Sequence, residues 1–307
     1  VQSAYLGIEI GGTKLQLVTG DAQARITERH RFPVDKARGG AGIREQILGT
    51  LPKLIGRACP AGIGVGFGGP VDSITGRICC SHQIEGWSEF PLGDWLREHT
   101  GLSVIVDNDA NTAALGEAQA GAGRGHNPVF YVTLGSGVGG GLVLDGRIYH
   151  GAKPGEAEIG HLRLNRSGTL LEQCCSGWAV DRKIRDACAR EPRGTLATLT
   201  ANMPGGQARA LASALEAGDP LAARILTEVS DDLAFGLSHV VQLMHPEVIV
   251  LGGGLSLVGE PLRAAVASAL QCYVMEAFAP GPNVALAALN EDAVPVGALI
   301  LARELSK

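Results

Sequence analysis

Two stretches of this chain, 8–21 and 132–145, are built to one plan. Each is an apolar run, a tight turn of small residues, a second apolar run and then an Asp. A strand that meets glycine and then resumes as a strand folds back as a hairpin. The first turn is Gly11-Gly12-Thr13 and the second is Gly135-Ser136-Gly137. We read this as a weak internal repeat, one hairpin per half. A length of 307 residues fits the same division, at roughly 150 residues per domain.

The rest of the chain alternates strand and helix patterns. In the first half, residues 24–32 could add a third strand, and 42–59 are helix-like. Residues 62–70 form a strand running into a glycine-rich turn, and 86–100 hold Trp87, Pro91 and a short amphipathic helix. Residues 103–106 are β-branched and apolar, and read as a buried strand. In the second half, Asp145-Gly146 is a strong hairpin turn. Residues 155–177 read mostly as loop, and 178–189 and 207–217 as helices. Asp219-Pro220 is an N-cap followed by Pro at the first helical position, opening a helix to about Met244. A strand at 247–251 ends in Gly252-Gly253-Gly254, and then come a helix from about Glu260, a strand near Val284 and a helix over 295–304.

The strand at 103–106 stops at Val106-Asp107-Asn108-Asp109, and a helix pattern rich in Ala, Leu, Glu and Gln follows from Asn111 to Ala122. Open α/β sheets place their ligand crevices at the C-terminal ends of strands. Asp109 is therefore the candidate general base and Asn108 a neighbour in substrate binding. The same residues are preferred helix N-caps, so capping alone is the competing reading.

Three glycine turns follow strands, at 11–13, 135–137 and 252–254. Glycine lets backbone N–H groups approach phosphate oxygens closely. Thr13, Thr133 and Ser136 add hydroxyls. Each turn alone is ordinary hairpin chemistry, but three with a carboxylate at a strand end point to a nucleotide phosphate site. Two matches to G-x-G-x-x-G occur, at Gly64, Gly66, Gly69 and at Gly135, Gly137, Gly140. Neither leads into a helix, so dinucleotide binding is rejected. No lysine follows a glycine anywhere, which excludes a P-loop. Glu158 and His161, three apart in a polar loop, could hydrogen-bond adjacent sugar hydroxyls, although a lone His of this kind is usually structural.

Composition is globular, with 45% apolar and 19% charged residues, and the net charge of −5 comes with no basic run. Attraction to nucleic acid or a membrane surface is not suggested. No apolar run approaches the length of a membrane span. Seven cysteines, an odd number with two adjacent pairs, favour a reducing cytoplasm over a disulfide scaffold.

As an ordered set, the motifs resemble the ROK family (repressors, open reading frames, kinases), near its bacterial glucokinase branch. The residues that carry this are Gly7-Ile-Glu-Ile-Gly-Gly-Thr-Lys14, Gly68-Gly-Pro-Val-Asp72, Val106-Asp-Asn-Asp-Ala-Asn111, Leu134-Gly-Ser-Gly-Val-Gly-Gly-Gly141, Glu158-Ile-Gly-His161 and Ile249-Val-Leu-Gly-Gly-Gly254. The resemblance implies an actin-like, ribonuclease-H-like α/β fold: two α/β domains with sugar and ATP in the cleft between them. The domains would be 1–118 and 119–293, with the C-terminal helix at 294–307 returning to the first. By similarity Asp109 is the catalytic base, and Asn108, Asp109, Glu158, His161, Glu172 and Gly69 meet the sugar. Gly11, Gly12, Thr13, Lys14, Thr133, Gly135, Ser136 and Gly137 would face the phosphates, and Gly252, Gly253 and Gly254 the nucleoside. Glu9, where the family usually has Asp, would reach Mg²⁺ through water. The resemblance also suggests a homodimer.

Two departures stand out. Gln83 takes the place of a common Asn. The loop after His161 is short and lacks the family's cysteine run, with Leu170 where the last zinc-binding cysteine belongs. Adjacent Cys174 and Cys175 cannot easily occupy two corners of one tetrahedron, so no structural zinc is expected. The expected activity is ATP-dependent phosphorylation of a hexose at its 6-hydroxyl, with glucose the leading acceptor. N-acetylmannosamine, N-acetylglucosamine and fructose stay open, as does a polyphosphate donor. A sugar-responsive regulator is disfavoured because the first motif starts at Leu6, leaving no room for a helix-turn-helix. A sugar-binding protein without catalysis is the other alternative.

Overall fold

The computed structural model describes residues 3–81, 84–153, 155 and 157–306; Gln83 lies outside them. The protein is mixed α/β, with two five-stranded mixed sheets. The chain divides into two compact units: Val1–Gly125 with Gly141–Ala157 and Leu289–Lys307, and His126–Gly140 with Glu158–Ala288.

The first unit opens with β1 (Tyr5–Ile10), β2 (Lys14–Gly20) and β3 (Ile26–Pro33), followed by α1 (Gly39–Ala58) and β4 (Ile63–Phe67). A small ribbon, β5 (Val71–Asp72) and β6 (Arg77–Ile78), precedes α2 (Leu92–Thr100), β7 (Val104–Asn108) and α3 (Asp109–Ala120). The sheet order is β3-β2-β1-β4-β7. β1, β4 and β7 run parallel, while β2 and β3 fold back antiparallel. β1 and β4 are buried along their whole length, as strands covered on both faces are. β3 alternates half-buried with exposed residues, as an edge strand does.

β7 is longer than the apolar run predicts. Its parallel pairing with β4 continues through Gly66–Asp107 and Phe67–Asn108, so the ladder carries two polar residues into the strand. α3 then starts at Asp109 instead of Asn111, with no loop between.

The second sheet contains β8 (Val129–Leu134), β9 (Val138–Leu144), β10 (Arg147–Ile148), β11 (Val248–Gly252) and β12 (Asn283–Leu286), ordered β10-β9-β8-β11-β12. Asp145 and Gly146 both have positive φ, 51° and 72°, the geometry a tight two-residue hairpin needs. The helices are α4 (Leu171–Cys175), α5 (Gly177–Arg190), α6 (Thr195–Thr200), α7 (Leu211–Glu216), α8 (Pro220–Met244) and α9 (Glu260–Leu270). Residues 155–177 are more ordered than a loop, with a 3-10 turn at Ile159–His161 as well as α4. The stretch read as one helix over 207–217 is a 3-10 turn followed by α7. Its start is pinned by Asp181, which accepts from Gly206 N and Ala208 N at 2.9 and 2.7 Å.

The last helix, α10 (Ala293–Glu304), packs on β1, β4 and α3. Its seat on α3 is backbone against backbone: a Cβ on Gly297 would lie 1.8 Å from the Thr112 carbonyl oxygen, and one on Gly116 2.4 Å from that of Ala293. The fully buried Glu117 fastens the same joint, accepting from Leu289 N and Ala122 N, each at 2.8 Å.

Gly297→Val is expected to lower stability by roughly 1–3 kcal/mol or more through overpacking, read from urea unfolding. An unchanged midpoint would contradict the close seating. A second expectation concerns Asp219, which caps α8 through Leu221 N and Ala222 N and also accepts from Leu196 N. Burial pushes its carboxyl up, but these backbone donors outweigh it and hold the pKa below the usual value. Asp219→Ala should cost about 1–2 kcal/mol at neutral pH. A depressed carboxylate stabilises above its unfolded pKa and loses that contribution as pH falls through its folded pKa. The gap between parent and variant melting temperatures should therefore narrow in acid.

Candidate functional site

In the first unit the parallel strands β1, β4 and β7 end at one edge of the sheet, where such sheets bind ligands. Gly68 N, just past β4, donates to Ile10 O at the end of β1 at 2.8 Å. A Cβ on Gly68 would lie 3.3 Å from Asp109 Oδ2 and 3.6 Å from the α-carbon of Gly11. The half-buried Asp109 carboxylate thus lies over the bare α-carbon of Gly68, beside the first glycine turn. Its other oxygen, Oδ1, accepts from Ala110 N at 2.9 Å.

Asn108 explains why Asp109 can point there. Its Oδ1 accepts from Ala110 N at 2.8 Å and Asn111 N at 3.2 Å, which makes it the N-cap of α3. Its Nδ2 donates to Gly69 O at 3.2 Å. Capping falls to Asn108, and Asp109 is the first helical residue, at the positive end of the helix dipole.

The Gly11–Gly12–Thr13 turn is closed by Gly11 N donating to Lys14 O at 3.0 Å. Thr13 is exposed, and its carbonyl accepts from Val34 N. The Lys14 ammonium meets Glu9 Oε1 at 3.1 Å, while Gln16 Nε2 donates to Glu9 Oε2 at 2.7 Å. Glu9 is 6% exposed, and burial raises its pKa against the opposing pull of Lys14. Each of its oxygens already has one protein partner, and contact with a metal through water is compatible with that pairing. That suits Mg²⁺, a cation that keeps several of its waters.

In the second unit two glycine turns meet at the C-terminal ends of β8 and β11, which run parallel with Thr133 opposite Gly252. Gly253 has φ +81°, and a Cβ there would lie 2.5 Å from Leu134 N, so only glycine fits. Gly254 begins a 3-10 turn. Across the other turn, Gly135 N donates to Gly137 O at 2.9 Å and Gly135 O accepts from Gly177 N at 2.7 Å, with Ser136 exposed. Thr133, Gly135, Ser136, Gly137 and Gly252–Gly254 therefore cluster at the C-terminal ends of two neighbouring strands. Glu172, on α4, is bonded into this turn: Oε2 accepts from Val138 N at 2.9 Å and lies over Gly137. Glu158 and His161 flank the 3-10 turn at Ile159–His161, and both are exposed. Neither side chain has a hydrogen-bond partner among the described residues.

Cys175 is buried, and its thiol donates to Val229 O at 3.6 Å; burial pushes its pKa up, as it does for Cys174 beside Asp232. Among the described residues no cluster of three or more His, Cys, Asp or Glu side chains could hold a metal. None of their helices is long and apolar enough to cross a membrane. Sequence reasoning passed over His150, which reaches Asp107 at 2.6 Å from 43 residues away and carries no local signal.

A family model described as "ROK family" matches residues 5–305. A glucokinase of Halalkalibacterium halodurans is 33% identical over 307 aligned residues, covering 95% of this chain and 93% of the relative. The N-acetylgalactosamine kinase AgaK of a Shewanella species is 31% identical, covering 85% of this chain and 84% of its own. Among solved structures, a ROK family glucokinase from Streptomyces griseus, in complex with glucose and AMPPNP, superposes with a TM-score of 0.86. It is 29% identical and covers 98% of this chain and 100% of its own.

The division of labour at the start of α3 can be measured. Asn108→Ala should lose about 1 kcal/mol of stability as a lost cap. Asp109→Asn keeps an oxygen for Ala110 N and should change stability by less than about 0.5 kcal/mol. The opposite order in urea unfolding would assign the cap to Asp109.

Proposed function

Because the chain belongs to the ROK family, we propose that it is an ATP-dependent hexose kinase that phosphorylates glucose at the 6-hydroxyl. The observation that carries this is the Asp109 carboxylate: Asn108 does the capping, and Asp109 Oδ2 lies over Gly68 beside the first glycine turn.

In this reading Asp109 takes the proton of the 6-hydroxyl. The sugar oxygen bonds to the γ-phosphorus as the bond from that phosphorus to the β,γ-bridging oxygen breaks, leaving ADP. Phosphoryl transfer asks a protein mainly for positioning and charge stabilisation. Asn108, Gly69, Glu158, His161 and Glu172 would take the sugar's hydroxyls. Gly11, Gly12, Thr13, Lys14, Thr133, Gly135, Ser136 and Gly137 would face the phosphates with backbone N–H groups, hydroxyls and one ammonium. Gly252, Gly253 and Gly254 would face the nucleoside. Mg²⁺, when bound, neutralises charge on the phosphate oxygens, and Glu9 would hold it through water. The nucleotide analogue in the Streptomyces griseus relative supports ATP as donor. The same reading places the enzyme in the cytoplasm as a homodimer.

A second acceptor class is favoured by the Shewanella relative, which acts on an N-acetylated hexosamine. N-acetylmannosamine, N-acetylglucosamine and fructose are therefore tested alongside glucose, with polyphosphate as an alternative donor. A coupled assay of ADP release over this panel is expected to give its highest kcat/KM with glucose. Asp109→Asn should lower kcat by about 10²–10⁴-fold while equilibrium glucose binding persists. Unchanged turnover in that variant rules out the base; glucose binding without turnover in the parent would favour a regulatory sugar-binding protein.

A further inference from the structure

The loop after β10 is fastened to β9, to the β5–β6 ribbon and to the root of α3. Tyr149 N donates to Leu142 O at 2.8 Å, and Lys153 Nζ meets Asp72 Oδ2 at 3.0 Å. Between these, His150 Nε2 lies 2.6 Å from Asp107 Oδ2. Asp107 is 2% exposed, one residue before Asn108 and two before Asp109. Its other oxygen accepts from Asn108 N at 2.8 Å and from Asn111 Nδ2 at 3.1 Å. Asn111 Nδ2 also donates to Gly155 O at 2.7 Å, which closes a ring back onto the loop.

This ring is costly to build. A buried carboxylate needs partners, and removing one leaves a charge without compensation. Asn111 is fully buried, and its Oδ1 has no partner among the described residues. A buried acceptor left unpaired carries a penalty that most sites avoid. Here the side chain keeps both of its donated bonds instead, one to Asp107 and one to the loop. Such a network fixes one geometry for the strand-to-helix joint that Asn108 and Asp109 occupy.

We propose that His150 is a positioning residue for the sugar end of the reaction. It holds Asp107, Asp107 holds the Asn108 amide and Asn111, and these set where Asn108 and Asp109 point. The proposal rests on the reading of Asp109 and Asn108 given above. A misplacement of about 1 Å at a reacting group can cost on the order of 100-fold. His150→Ala in the full chain should therefore lower kcat/KM for glucose roughly 10- to 100-fold, through a lower kcat from Asp109 and a raised glucose KM from Asn108, with KM for ATP nearly unchanged and the melting temperature lowered only slightly. His150→Gln carries an N–H to the same reach and should recover most of the loss. The combination of His150→Ala with Asp107→Asn should be little worse than either alone, as coupled residues behave.

A parental kcat/KM for glucose in His150→Ala overturns the proposal. So does a KM rise shared equally by ATP, a His150→Gln variant no better than Ala, or additive effects in the double variant. Calorimetric glucose binding separates this from the reading beneath it. If the parent transfers no phosphate yet binds glucose, the base assignment fails, and equal glucose affinity in parent and His150→Ala then removes the positioning role as well.

Discussion

The position of α3 is set by carbonyl oxygens pressed against glycine α-carbons. Gly297 meets Thr112 O, Gly116 meets Ala293 O, and Gly141 meets Ala110 O, each closer than a Cβ would allow. The helix sequence answers in kind, with Ala110, Ala113, Ala114 and Gly116 offering little beyond backbone. Close packing of this sort is unforgiving of added volume, because interiors are filled to crystal density. A helix held that tightly has no freedom to slide or rotate. The backbone of its first turn is therefore held in place, and that turn begins at Asp109.

From that constraint the chemistry of the strand ends follows. β7 runs into α3 without a loop, so Asn108 is at once the last strand residue and the helix cap. Its Nδ2 reaches Gly69 O, which joins the turn after β4 to the same point. In the neighbouring hairpin a polar ladder crosses the sheet. Glu9 lies opposite Gln16 and Gln16 opposite Arg31, with Lys14 on Glu9 at one end. At the other end, Arg29 and Arg31 pair with Asp292 and Glu291 just before α10, each at 2.6 Å. The Glu9 carboxyl is buried, where burial raises its pKa, and it is paired with Lys14 and Gln16, as buried acids need to be. The ladder also ties Lys14 to the segment that leads into α10.

What could be read from the sequence was local. Asp219-Pro220 and Asp145-Gly146 are short signals whose stereochemistry is complete within a few residues, and both elements lie where those signals put them. The hairpins around 11–13 and 135–137 were legible for the same reason. The end of β7 was not. Asp and Asn are poor strand formers and good caps, and only pairing with β4, some forty residues earlier, overrides that preference. α4 and α6, at five and six residues, are too short to show a helical period. The bonds from Glu172 to Val138 N and from His150 to Asp107 span 34 and 43 residues. No window of sequence contains both partners.

Glu172 shows how packing places a polar group. α4 is short, and an isolated helix of that length would not persist. It is held by its apolar side: Leu171 lies over the bare α-carbon of Gly236 on α8, where a Cβ would come within 2.9 Å. Cys175, one turn further, buries its thiol against Val229 O on the same helix. Residues 171 and 175 are four apart and share one face of α4. Glu172 projects from a different face, and its carboxylate closes onto Val138 N and Gly137. One apolar contact and one thiol hydrogen bond with α8 thus fix a carboxylate against the glycine turn, and the turn's geometry is in part a consequence of α8.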